Sequence, residues 1–313
     1  MKTAKTESTR ATRLCLAAAG VASLFMPALA HGAPLPSSIQ LTGVVRDFKG
    51  QYEPGGHPDF QRGKNHAAGL YQAKMVLPKL GWDGKPVFVD GSSVHVRAQF
   101  KDDMGRPICW TLYDPARGDT PGVHQTRAQH GCVGTDGSNG YVTSSATFNQ
   151  FYHDAPGVNL SAMLTLTFNR VANDTYVFND KTDPLYSGSG GFFPIDGQLY
   201  GNSPANPSHN FHFTYELHVL FTYDESAGDI LEFIGDDDMW AFIDTKLVID
   251  IGGHHSPRRE YVELDRLGLV DGKTYRLDMF FAERRTNGSN CQLNTTLLLM
   301  NNGNLTTVSA PFD

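Results

Sequence analysis

The sequence predicts an all-β chain, an antiparallel β-sandwich or flattened barrel with long loop insertions, and three observations carry that expectation. Apolar residues repeatedly alternate with polar ones over short segments, the period of a strand with one buried face. Turn-forming pairs separate those segments: Asp271-Gly272, Asn287-Gly288 and Ile251-Gly252-Gly253. Beyond the first thirty positions there is no useful helical period, and 32 glycines and 17 prolines sit among only 19% charged residues, a turn-rich balance.

Taken in order, the elements begin with an address. Lys2, Lys5, Arg10 and Arg13 make a basic start, Leu14 to Leu29 an apolar run, and Ala28-Leu29-Ala30 a small-x-small cleavage site. Residues 1–30 therefore read as a signal peptide cleaved near Ala30, leaving His31 as the mature start. A membrane anchor is the alternative, but the run is short for a span of ~20 residues. Residues 31–40 read as a linker, 41–302 as one domain and 303–313 as a soft C-terminal tail. Strand-like alternation runs through Leu164, Leu166 and Phe168, then Tyr215, Leu217, Val219 and Phe221, then Leu231 and Phe233. It resumes at Leu247, Ile249 and Ile251, at Tyr275, Leu277, Met279 and Phe281, and from Cys291 to Leu299. The stretch 173–208, rich in Gly, Pro, Asp and Ser, reads as a long insertion between sheets.

The leader holds four basic residues against Glu7, so its removal turns a formal charge of −7 into about −10. An acidic exported chain without basic clusters has no electrostatic footprint for nucleic acid. No later apolar run is long enough for a transmembrane anchor. Cations and neutral ligands are the easier partners. Three cysteines follow the leader: Cys109, Cys132 and Cys291. In an oxidising compartment Cys109 and Cys132 are the expected disulfide, worth roughly 3 kcal/mol on the loop-entropy account, with Cys291 a buried small hydrophobe.

The most informative segment is Asp236-Asp237-Asp238, lodged between the apolar runs that end at Ile234 and begin at Met239. Two like charges ~4 Å apart repel by about 4 kcal/mol near a protein surface. Such a run is kept when a cation fills the gap or when water solvates the turn. Outside the cell Ca²⁺, with its appetite for six to eight oxygens, is the natural cation. An EF-hand does not fit, because the fifth, sixth and twelfth loop positions would be Trp240, Ala241 and Leu247.

In order along the chain, several blocks resemble the fibro-slime domain, a bacterial extracellular module related to the PA14 superfamily. They are Gly43-Val44-Val45-Arg46-Asp47-Phe48, His57-Pro58-Asp59-Phe60, residues 151–159, Phe192-Phe193-Pro194-Ile195-Asp196-Gly197 and residues 209–217. The triple-Asp segment, Asp250-Ile251-Gly252-Gly253-His254-His255 and residues 280–290 complete the series. The resemblance implies a sandwich of PA14 type. It further implies two consecutive aspartates, joined by a cis peptide, that hold Ca²⁺ while a sugar diol takes its exposed face. Asp236 and Asp237 occupy the metal pair's place, and Asp238 stands where the family has Gly. The second loop, from Arg284, would add Asn290, Thr286 and the Gly288 carbonyl. On this reading Asp238, Trp240, His254 and Asn287 face the ligand. An aromatic beside an apolar strand is more often core, and that is the other reading of Trp240. His254 and His255 lack zinc spacing and more plainly hold backbone near the acids. Glu283, Arg284 and Arg285 read as an ion pair that pins the second loop.

The expectation is a non-enzymatic, calcium-dependent carbohydrate- or ligand-binding, adhesin-like module, secreted or held at the cell surface, with a cell-surface glycan as partner. The alternative is a calcium-stiffened extracellular matrix protein. A carbohydrate-active hydrolase is a third reading, since that chemistry needs two carboxyls at a set separation and Asp/Glu pairs abound in the chain. No GxSxG, Walker or dinucleotide motif occurs in a suitable context.

Overall fold

The computed structural model describes residues 34–62, 71–89, 93–126 and 142–302. The expected signal peptide and its cleavage point at Ala30, Cys132 and the tail beyond 302 lie outside them. The strands are β1 (Ser38–Phe48), β2 (Tyr71–Ala73), β3 (Val94–Ala98), β4 (Phe100–Lys101), β5 (Pro107–Ile108) and β6 (Val123–Thr126). After the short helix α1 (Ser145–Asn149) come β7 (Asn159–Arg170), β8 (Tyr176–Asn179), β9 (Phe213–Thr222), β10 (Ile230–Asp236) and β11 (Asp238–Ile243). The series closes with β12 (Lys246–Ile251), β13 (Arg258–Glu263), β14 (Thr274–Glu283), β15 (Asn290–Thr295) and β16 (Met300–Asn301). β1 thus starts inside the stretch expected to be linker, and the expected insertion 173–208 contains β8, which pairs with β7 and β15.

Eleven strands form one sheet in the order β12-β11-β14-β9-β1-β7-β8-β15-β10-β13, with β16 on β9. Every described pairing in it is antiparallel. Its two end strands, β12 and β13, are consecutive in sequence, so the sheet curls until its edges nearly meet. They meet through a side chain: the Asp250 N–H donates to Glu260 Oε2 at 2.8 Å. The fold is all-β and antiparallel, as the alternation predicts.

Main-core residues such as Leu41, Phe213, Leu217, Phe233, Phe281 and Leu293 fill the interior. Period-two alternation then places Met239, Ala241 and Ile243 of β11 in that core while Trp240 and Phe242 point to the opposite face. There they join a second cluster with Phe48, Phe60, Phe148, Phe151, Tyr152 and Phe280. Both faces of β11 are therefore dry, which explains its unbroken apolar run. The outer cover comes from residues 48–60 and 142–152, with α1 capped at Ser144 by a reciprocal bond to Thr147. The single buried face expected from alternation is thus doubled wherever this cover lies.

Candidate functional site

The triple-Asp segment sits where the chain changes partners. β10 runs between β13 and β15 and ends at Asp236; β11 starts at Asp238 between β12 and β14. The Asp236–Asp237 peptide is cis. Three connections converge here: the β10–β11 junction, the β12–β13 loop and the β14–β15 loop.

The three carboxylates have different surroundings. Asp236 Oδ1 accepts from the Asn290 main-chain N–H at 2.7 Å and from Asn290 Nδ2 at 3.0 Å, with Oδ2 3.2 Å from the same Nδ2. Asp237 accepts from the main-chain N–H groups of His255, at 3.2 Å, and Arg284, at 3.4 Å. Asp238, fully buried, accepts from the Gly253 N–H at 2.6 Å and is gripped by the equally buried Arg284 guanidinium, with Nη2 3.0 Å from Oδ1 and Nε on Oδ2. Burial pushes the Asp236 carboxyl up to about 6, with the Asn290 hydrogen bonds opposing and Asp180 adding to the rise. Burial and then the adjacent Asp238 charge hold Asp237 well above the usual carboxylate range. Glu283 is raised by burial and by Asp237 and Asp236. Its Oε1 accepts from the Arg285 N–H at 3.0 Å, while Oε2 is buried without a hydrogen bond.

The second loop is braced from behind by the segment after β1. Gln61 donates its N–H to the Arg284 carbonyl at 2.7 Å, and its Oε1 accepts from the Thr286 N–H at 3.1 Å. Arg285 Nη1 donates to the Arg62 carbonyl at 3.2 Å. On the β10–β15 side the approach is close: a Cβ on Gly235 would come within 2.2 Å of the Asn290 carbonyl. Gly235→Ala should therefore push β15 away from Asp236 and destabilise by about 1–3 kcal/mol, as overpacking does. Thermal unfolding followed by circular dichroism checks it, and an unchanged midpoint would mean the backbone gives way freely.

The structure brings Asn290 into hydrogen bonding with Asp236, beside Asp237. Thr286 is half-buried on Gln61, Asn287 and Gly288 are exposed on the rim, and His254 lies half-buried in the β12–β13 loop. Two expectations need correction. Asp238 does not face a ligand, because its carboxylate points inward to Arg284 and Gly253. Trp240 is fully buried against Phe148, its Nε1 donating to Asp250 at 3.2 Å, so no face is open for a sugar. The expected Cys109–Cys132 pairing rests on Cys132, outside the described residues; Cys109 is buried and its Sγ accepts from the Thr111 hydroxyl at 3.0 Å. Arg284 pins the loop as anticipated, but its partner is Asp238, on another strand. Asp59, Gln61, Asp180 and Glu283 were not foreseen as neighbours of the acids; His57-Pro58-Asp59-Phe60, already one of the recurring blocks, was the available signal.

Among the described residues no three His, Cys, Asp or Glu side chains form a metal-holding group, and no helix is long and apolar enough to cross a membrane. Residues 154–307 match the PA14 domain. Two proteins of Dictyostelium discoideum are similar in sequence. Protein psiD is 39% identical over 162 residues, 50% of this chain and 30% of its own length. Protein psiC is 34% identical over 273 residues, 84% of this chain and 42% of its own length. The chain thus spans well under two thirds of these relatives, and neither is bacterial. The PA14 domain of MpAFP antifreeze protein is 15% identical with a TM-score of 0.22, covering 32% of this chain and 50% of that one. This TM-score is too low to support an inference. Residues 154–307, the stretch that matches the PA14 domain, contain all three acids and both loops around them.

Proposed function

We propose that this protein is an exported, non-catalytic module of fibro-slime type that binds a carbohydrate through a calcium ion held at Asp236 and Asp237. PA14 domains occur in carbohydrate-binding and adhesin-like proteins, which supports the coarser half of that reading. The observation that carries the rest is electrostatic. Two carboxylates, each more than nine-tenths buried, stand side by side with only main-chain N–H groups and the Asn290 amide as hydrogen-bond donors. The guanidinium beside them is already committed to Asp238.

The donor set suits a hard cation. Asp236 and Asp237 would supply carboxylate oxygens; Asn290, turned about its amide, would supply a third side-chain oxygen. Thr286 and the Gly288 carbonyl lie on the same loop. Too few acids converge for an all-carboxylate shell, so amide and main-chain oxygens would have to complete it. Bound there, calcium would take two vicinal hydroxyls of a sugar into its open positions. The chain's own part is to hold the two aspartates still. The His255 and Arg284 N–H groups orient Asp237, the Arg284–Asp238 pair fixes the junction, and exposed Asn287 and half-buried His254 border the opening.

Titration calorimetry with calcium should show one site in the wild type and at least a tenfold loss in Asp237→Ala. A glycan array run with and without EDTA should show retention that the chelator abolishes. Equal calcium binding by wild type and Asp237→Ala would overturn the assignment of the pair. A melting temperature that responds to calcium with no glycan retained would favour a scaffold role instead.

A further inference from the structure

Trp82 is entirely exposed at the tip of a closed turn that belongs to neither the acidic rim nor the residues matching the PA14 domain. We propose that it is the platform of a second, metal-independent carbohydrate contact, stacking its indole on the apolar face of a pyranose ring within a polysaccharide.

The turn is locked. Gly81 donates its N–H to the Lys85 carbonyl at 2.8 Å, and Gly84, at φ +76°, donates to the Gly81 carbonyl at 3.0 Å. Below it, Leu77 donates to the Val87 carbonyl at 2.9 Å and Val76 bridges Phe88. Two side-chain contacts fasten the tip to the body: the Lys85–Glu216 ion pair, with Glu216 buried, and Asp83 with His153 Nε2 at 3.3 Å. The other two tryptophans are turned inward, each with its Nε1 on Asp250. With the backbone of the turn fixed, the indole has only its two side-chain torsions to lose when a ligand covers it.

The neighbours decide between partners. A protein hot spot needs surrounding contacts that shut out water; next to Trp82 in sequence stand Gly81, Asp83 and Gly84, and the exposed apolar side chains of the turn are only Leu77 and Val87, too few for such a ring. A membrane interface would favour clustered basic residues, and this chain carries a net charge of −7. The polar groups of the turn include Asp83 and its partner His153, both partly accessible. An aromatic face with a few hydrogen-bonding groups at its edge matches a sugar ring, apolar on its face and hydroxylated at its rim.

The location makes the contact independent of the acids. Leu80 donates its N–H to the Thr245 carbonyl at 3.1 Å, so the turn lies beyond the far end of β11 from Asp238. At ~3.3 Å per residue the length of β11 alone separates them by about 17 Å. One sugar cannot reach both places, whereas a polysaccharide can, with a gain in avidity.

The test is affinity electrophoresis in EDTA through gels containing soluble β-glucan, xylan or α-mannan, paired with tryptophan fluorescence. At least one polymer should retard the wild type and shift Trp82 emission to the blue. Trp82→Ala should lose retention at least tenfold with an unchanged melting temperature, and Trp82→Tyr should keep part of it. Because the gel runs in EDTA, retention there separates the contact from the calcium site. Three outcomes would overturn the proposal: no retardation by any of the polymers, retardation that survives Trp82→Ala, or an emission shift produced by phosphatidylcholine–phosphatidylglycerol vesicles but by no polymer.

Discussion

Arg284→Met should cost about 3–5 kcal/mol of folding stability, the range for removing one partner of a buried ion pair. Arg284 and Asp238 are both fully buried, so the substitution strands a carboxylate in the interior. Burial already raises the Asp238 carboxyl and Arg284 opposes that rise; without the guanidinium the group must take up a proton or drag in water. The loss reaches further, because Arg284 Nη1 also lies 3.5 Å from the Asp59 carbonyl. In a domain of this size the melting temperature should fall by roughly 10 °C. The double variant Arg284→Met/Asp238→Asn should regain part of that, since the uncompensated charge is gone. If the single variant melts within two degrees of wild type, the pair is not what holds the second loop.

Raising the pH from 5 to 8 in EDTA should weaken the fold, and Glu260→Gln should flatten the decline. Glu260 is buried where the two sheet edges meet; burial, with the Asp250 charge adding to it, pushes its carboxyl up to about 8. Burial likewise raises Asp250 to about 6, against hydrogen bonds from the Lys74 N–H and the Trp110 and Trp240 indoles. A raised folded-state value means the native protein keeps a proton that the unfolded chain releases. The contribution of Glu260 is therefore complete below about 4.5 and is lost as the pH climbs to 8, with a limiting slope of about 1.4 kcal/mol per pH unit. A glutamine at 260 keeps an acceptor for the Asp250 N–H and has nothing to ionise. It should be more stable than wild type at pH 8 and not at pH 4.5. Urea midpoints across that range check it, and parallel pH profiles for the two proteins would rule out Glu260 as the source.

The legible part of this protein was local. Alternation in Tyr215–Phe221 and Tyr275–Phe281 marks β9 and β14 because a strand's side chains must divide between two faces. Three adjacent acids between apolar runs mark an electrostatic conflict that any fold has to resolve. The resemblance blocks then point to the second loop at Asn290. Trp240 shows where such reading stops: an aromatic two residues from a charged cluster is consistent with a ligand face or a core until one knows what covers the strand's other side.

Period, turns and the clash of like charges are properties of neighbours along the chain, so the amino-acid order alone determined the antiparallel β class and singled out Asp236, Asp237 and Asp238. Which acid is paired with a guanidinium and which two accept only from amide N–H groups depends on partners far away in sequence, Arg284 and Gly253 for Asp238, His255 and Asn290 for the others. Those groups come within hydrogen-bonding reach only when the sheet curls and its loops meet, because a 3 Å contact between distant residues is set by packing and has no local trace.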